Sequence, residues 1–230
     1  MSNLNKKICI IPARGGSKRL PKKNIMPFHG MPMICWTIES AIKSKCFDKI
    51  IVSTEDDEIR EISSDYSNVV IDKRDKLLAT DESTVSDVLL NILEDNKEYD
   101  VLSCLFPAAP LRTSEDIKSV VANIEPGKIN FSIAVTDYDL PPHQALKMNK
   151  YHEIEPMFPE LVNLRDDKIG KLVVDNGSTY AASVDAFMKQ KNFYGIPAKA
   201  HYMPRERSVD INYQSDLDMT NYYFEKLNKS

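Results

Sequence analysis

Apolar positions in the first 135 residues follow two periods that take turns along the chain. Short unbroken apolar runs, "KICIIPA", "KIIVST", "NVVID", "DVLSCLF" and "NFSIAV", predict strands buried on both faces. Between them the period lengthens to that of a helix. "PMICWTIESAIKS" sets Ile34, Ile38, Ala41 and Ile42 on one side, and "STVSDVLLNILED" does the same with Val85, Val88, Leu89 and Ile92. "EDDEIREISSDY" carries acids in its first turn, and "TSEDIKSVVANI" opens on a capping pattern with Ile117, Val120, Val121 and Ile124 inward. Strand–helix alternation predicts an α/β fold with a mostly parallel, Rossmann-like sheet and helices on both faces. Residues 137–175, rich in proline and polar side chains, break the rhythm and read as an inserted arm. Regular structure resumes at "STYAAS" and closes with the helix "SDLDMTNYYFEKL". Residues 1–230 read as one domain.

Composition narrows the partners. A net charge of −4 and a pI near 5.7 argue against a nucleic-acid coat or a surface for anionic membranes. No apolar run approaches the roughly 20 residues of a spanning helix. The first apolar stretch runs straight into charge, which is not the pattern of a secretion signal. Cys9, Cys35, Cys46 and Cys104 have no metal-ligand spacing and read as reduced residues of a cytoplasmic protein.

Against this acidic background one stretch stands out. "PARGGSKRLPKKN" places Arg14, Lys18, Arg19, Lys22 and Lys23 beside a glycine pair, directly behind the first strand. The chain has only seven glycines, so two together mark a backbone requirement. In an open α/β sheet ligands gather at the carboxyl ends of strands. Glycine backbone approaches an anion closely, and cations neutralise it, which suits a polyphosphate. A solvated basic loop is the competing reading. Neither G-x-x-x-x-G-K-[ST] nor G-x-G-x-x-G is present, so neither the P-loop nor the dinucleotide fingerprint applies.

"IPARGGSKRLPKKN" resembles the signature of the acylneuraminate cytidylyltransferases, which make CMP-activated nonulosonic (sialic-like) acids. "KRDKLLATDESTVSDVL", "FPAAPLRTSEDI", "DNGSTYAA" and "VDINYQSDLDM" follow in the family's order, so the resemblance runs from about residue 8 to 220. It implies a nucleotide-diphospho-sugar transferase type of sheet. It also implies that Arg14, Ser17 and Lys23 bind the triphosphate of CTP, that Ala13 and Gly15 belong to the nucleotide-binding site and that Asn24 reads cytosine. Arg74 and Ser83 would form the facing wall. Lys147, Arg165, Asn176 and Tyr180 match positions near the carboxylate and hydroxyls of the sugar, where a cation can pair with the carboxylate, and Phe106 falls at a sugar-facing position. The arm would make a homodimer in which the second subunit helps complete the site.

Three departures bear on the substrate and the metal. Sialic-acid-specific members carry a glutamine where this chain has Phe106, and an arginine before "NG" is replaced by Val174. "IPARGGSKR" and "MPRERSVDI" look more like the pseudaminic-acid branch. Relatives often read Asp-x-Asp where this chain has Asp210 and Asn212. The implied reaction is attack of the anomeric hydroxyl on the α-phosphorus of CTP with release of pyrophosphate, serving cell-surface glycan synthesis. The implied catalytic residues are Arg14, Lys23 and Asp210, with Mg2+ held by Asp210 and more weakly by Asn212. No protein base is assigned, and His29 and His143 lie in no triad-like context. Two alternatives remain open: a cytidylyltransferase for Kdo or an amino-Kdo sugar, and a non-catalytic nucleotide-sugar-binding homologue.

Overall fold

Strand β1 (Lys7–Pro12) alternates its apolar side chains between two buried layers, so both faces of the sheet must be covered. In the computed structural model, which describes residues 5–229, β2 (Pro27–Phe28) and β3 (Met31–Pro32) form a small hairpin ahead of α1 (Met33–Ser44). Alternating units follow: β4 (Lys49–Thr54), α2 (Asp57–Ser64), β5 (Val69–Lys73), α3 (Val85–Glu94), β6 (Val101–Leu105), α4 (Ser114–Ala122) and β7 (Phe131–Thr136). The arm carries the hairpin β8 (Leu146–Met148) and β9 (Ile154–Pro156) and the short α5 (Asp166–Ile169). The chain returns through β10 (Val174–Ser183), α6 (Val184–Gln190), β11 (Ala198–Tyr202) and α7 (Gln214–Asn228).

Seven strands make the central sheet in the order β11-β7-β10-β6-β1-β4-β5. All run parallel except β10, which is antiparallel to both β6 and β7. Cys9, Ile11, Val52 and Leu105 pack with Ile34, Ile38 and Ile117 on one face. Ile8, Ile10, Ile51 and Leu102 meet Leu89, Ile92 and Phe187 on the other. A third cluster joins Leu20, Phe28, Met33, Leu111, Ile211 and Leu217, and so ties the basic loop to the segment entering α7. His29 stacks on Phe224 there at 3.9 Å between ring centroids, and His143 is buried.

The expected strands and helices through β7 form within a few residues of their predicted ends. Capping explains α3 and α4: Thr84 with Asp87 and Thr113 with Asp116 close reciprocal capping boxes. Beyond the arm, the sequence pattern predicts neither α6 nor β11, and β10 takes in Val174 and Asp175, closing the irregular segment at Val173.

Candidate active site

Every parallel strand delivers its following loop to one edge of the sheet, and β10 enters from that same edge because it runs the other way. The loops enclose a cleft of about 470 Å³. Arg14, Ser17, Lys23 and Asn24 from the basic loop, Arg74 and Ser83 from the facing wall, Phe106, Asp210 and Asn212 all line it. Residues spread from 14 to 212 thus converge on one site.

The basic loop is shaped by a close backbone approach. A Cβ at Gly15 would sit 2.3 Å from the Asp56 carboxylate that caps α2, so only glycine fits. Two of the expected nucleotide-binding residues lie outside the cleft lining. Ala13 is fully buried and gives its N–H to the Ser53 carbonyl at 2.9 Å. Gly15 gives its N–H to Glu55 at 2.8 Å, and neither residue lines the cleft. Their role is to hold the loop against β4 and α2, which leaves side-chain cations to face the cavity. Asn24, buried, commits one amide hydrogen to the Arg14 carbonyl at 2.8 Å, bracing the loop across its width.

The cations differ in setting. Lys23 donates to the Ile211 carbonyl and lies 3.5 Å from Asn212 Oδ1. Burial lowers its pKa, with the nearby Asp210 carboxylate opposing the shift. Arg74 is buried at the end of β5, its Nη2 on the Ser53 carbonyl at 2.6 Å and its Nε on Ser53 Oγ at 3.2 Å. Its pKa is likewise lowered by burial, against the pull of Glu55. Arg14 is exposed, with Nη1 3.2 Å from Asp81, and Lys18 donates to the same carboxylate. The Lys18 hydrogen bond holds Asp81 below the usual carboxylate range. Ser83 fixes the loop that carries Asp81, donating to the Leu77 carbonyl at 2.8 Å.

Asp210 stands where the cleft meets a second cavity of about 910 Å³, and both cavities are also lined by Gly177. Gly177 has φ +67°, and a Cβ there would come 3.5 Å from the Asp210 carboxyl carbon. Asn212 gives its side-chain amide to Asp210 at 2.7 Å and turns its oxygen toward Lys23, linking the two.

The sugar-side residues divide. Phe106 lines the cleft, its ring 5.4 Å from that of Tyr180. Asn176 lines the second cavity and is fully engaged, accepting from Ser178 and donating to Ser208 Oγ at 3.2 Å. Tyr180 packs in the core and lines neither cavity, because its hydroxyl turns to Asp175 at 2.8 Å. Burial first, then Asp175, raises the pKa of its phenol. Lys147 and Arg165 lie exposed on the arm, beside Glu155 and Asp167, and line neither cavity of their own chain.

Several participants escaped the sequence reading. Asp81 and Lys18 sit inside quoted motifs but show their pairing only in space. Asp175 gathers the hydroxyls of Tyr180 and Tyr194 and the N–H of Gly177, and pushes Tyr194 up to about 12. Arg112, the last residue of "APLR", is 2% exposed and donates to Ser178 O at 2.7 Å, Phe106 O at 3.2 Å and Thr37 Oγ1 at 2.6 Å. It fastens the end of β6 to the turn in β10.

A family model described as cytidylyltransferase matches residues 8–229. The chain is 31% identical over 217 residues to a pseudaminic acid cytidylyltransferase of Campylobacter jejuni, covering 93% of this chain and 94% of the relative. It is 32% identical over 221 residues to a CMP-N,N'-diacetyllegionaminic acid synthase of Legionella pneumophila, covering 93% and 94%. It is also 31% identical to an N-acylneuraminate cytidylyltransferase of Streptococcus agalactiae, of which it spans 52%. Among solved structures, a CMP:2-keto-3-deoxy-manno-octonic acid synthetase complexed with CTP superposes with a TM-score of 0.69 at 16% identity, covering 96% of this chain and 99% of that one. At that identity the likeness speaks for the fold.

Proposed function

The chain belongs to the cytidylyltransferase family, and from that premise we propose that it transfers CMP from CTP to the anomeric hydroxyl of a nonulosonic acid, releasing pyrophosphate for cell-surface glycan synthesis. The observation that carries this reading is the convergence of Arg14, Lys23, Arg74 and Asp210 on one cleft that opens into a second, larger cavity. The cleft is cationic on the side of the basic loop, as a triphosphate requires, and the adjoining cavity has room for an acidic sugar.

The anomeric oxygen forms the new bond to the α-phosphorus, and the bond from that phosphorus to the bridging oxygen breaks. The electron pair leaves with pyrophosphate, and the hydroxyl proton passes to solvent. Lys23 and Arg14 meet the charge that builds on the leaving oxygens. Asn24 and Arg74 hold the nucleoside side, and Phe106 gives the cleft an apolar wall where the acceptor reaches in toward the α-phosphorus, suiting an acyl-bearing sugar. Partial burial of Lys23 strengthens its attraction for a phosphate, because less water screens it.

Magnesium fits as a cofactor held at Asp210. No group of three or more His, Cys, Asp or Glu able to hold a metal occurs among the described residues. A single carboxylate is the donor set of a hard cation that takes most of its oxygens from phosphates and water. Such an ion would neutralise phosphate charge. Asn212 adds a neutral oxygen once its amide releases Asp210.

The arm supports a homodimer. Leu140, Met148, Tyr151 and Ile154 are exposed on it, and it carries Lys147, Lys150, Arg165 and Lys168. Docked on a second copy, these would cover apolar surface and bring cations to the acidic second cavity. No helix among the described residues is long and apolar enough to cross a membrane. Four free cysteines suit work in the cytoplasm.

The test is pyrophosphate release with CTP across pseudaminic, N,N'-diacetyllegionaminic and N-acetylneuraminic acids and Kdo. Turnover with a nonulosonic acid and preference for CTP over UTP are expected. No release with any of them would overturn the reading, and release with Kdo alone would move the substrate to that sugar.

A further inference from the structure

The second cavity is strongly acidic. Asp137, Asp139, Asp175, Asp210 and Asp216 line it, and Arg205 is the one Lys or Arg among the described residues that do. An acidic acceptor entering such a cavity meets repulsion from every side unless a cation receives its carboxylate.

The partners of these acids single out one pair. Asp175 is occupied by Tyr180, Tyr194 and Gly177, and Asp216 by the N–H groups of Asn212 and Tyr213. Asp210 holds the Asn212 amide, and Asp137 the Tyr202 hydroxyl and Lys171. Asp139 holds Arg205, with Nη2 2.5 Å from Oδ1 and both side chains more than half exposed (57% and 67%). An exposed pair of this kind exchanges partners at little cost.

The base of Arg205 is fixed while its head is exposed. Two residues on, Arg207 pairs with the buried Asp116, which anchors the helical turn Arg205–Arg207 to the start of α4. The guanidinium of Arg205 is therefore carried, exposed, on a held backbone. Its planar fork matches a carboxylate through two parallel hydrogen bonds, which an ammonium cannot reproduce.

We propose that Arg205 is the receptor for the carboxylate of the acceptor, exchanging Asp139 for the substrate as it binds. The assignment rests on the proposed function and deepens it: specificity for a sugar acid comes from this chain's own Arg205, while arm cations of a second copy add to the field around the cavity.

The experiment is steady-state kinetics of Arg205→Ala, Arg205→Lys and Asp139→Asn, with Lys147→Ala and Arg165→Ala beside them. The probe is the acid of the panel that the wild-type enzyme turns over best, with pseudaminic acid first. Arg205→Ala is expected to raise the acceptor KM about 30- to 100-fold and Arg205→Lys about tenfold, with the KM for CTP within twofold of wild type. Asp139→Asn, which frees the guanidinium, is expected to lower the acceptor KM about two- to fivefold. Unchanged melting midpoints would show that these exposed substitutions leave the fold intact. An acceptor KM that stays put in Arg205→Ala overturns the assignment. So does a rise confined to Lys147→Ala or Arg165→Ala, which would give the carboxylate to the arm. If the wild-type enzyme releases no pyrophosphate with any acid, the function itself fails and the assignment with it.

Discussion

Replacing Arg112 by methionine tests how the site's backbone is held. The guanidinium is buried against three acceptors, Ser178 O, Phe106 O and Thr37 Oγ1, and its Nε has no partner. Burial lowers its pKa to about 10. Methionine keeps most of the length and removes every donor. Three hydrogen bonds from a charged donor are worth roughly 1.5–2 kcal/mol each, or about 5 kcal/mol. Taking a charge out of a dry interior returns part of this, on the order of 2 kcal/mol here, because no carboxylate neutralises it directly. The net expectation is a loss of about 3 kcal/mol, and for a chain of this size a midpoint lower by about 6–12 °C. Thermal melts and urea titrations read it. Activity should fall as well, since the Phe106 carbonyl and the β10 turn lose their common brace. A midpoint equal to or above wild type would refute the reasoning, because desolvation would then outweigh the hydrogen bonds.

The other expectations concern charge. Asp81→Asn removes the carboxylate that pairs with Arg14 and Lys18 at the cleft, so the KM for CTP should fall about two- to fivefold and inhibition by pyrophosphate should strengthen. A higher KM would make Asp81 a contributor to binding. Asp116 has a depressed pKa in the folded state: its hydrogen bonds from Arg207, His201 and Thr113 together outweigh burial, the largest single effect, which acts in the opposite direction. Its contribution is therefore present above the unfolded value near 4 and is lost as pH falls through the folded one. Melting curves from pH 5 down to 2 should show wild type losing stability faster than Asp116→Asn, and parallel losses would count against this linkage. Asp210→Asn should nearly abolish turnover, while Asn212→Asp should keep it and shift the magnesium titration to lower concentration. An Asp210→Asn enzyme with an unchanged magnesium requirement would put the metal elsewhere.

What the sequence made legible follows from how local each cause is. β1, β4 and β6 are sandwiched between helices, so their apolar runs are unbroken, and α4 announces itself by a cap a few residues from its apolar stripe. β11 is an edge strand, mostly exposed, and "AKAHY" has no apolar pattern to betray it. The direction of β10 is equally silent, since orientation is a property of the assembled sheet. In the site, Arg14, Lys23, Asn24 and Arg74 were reachable because they sit in motifs read as units. The Arg14–Asp81 contact spans 67 residues and Arg207–Asp116 spans 91, and no window of sequence contains both partners. Ala13 and Gly15 share a motif with the cations that line the cleft, and in the fold their N–H groups are taken up in shaping the loop.

The reversed direction of β10 has a consequence for how this protein can change. β7 ends at Thr136 and β10 begins at Val174, and these two residues face each other as ladder partners. Residues 137–173 therefore leave and re-enter the sheet at neighbouring points, like a graft with both ends sewn to one seam. Closing a longer loop there costs only about 0.6 kcal/mol for each doubling of its length. The seam also lies at the edge where the second cavity opens. That segment can thus be lengthened, shortened or exchanged while the part of the sheet built on β1, β4, β5 and β6 keeps its arrangement.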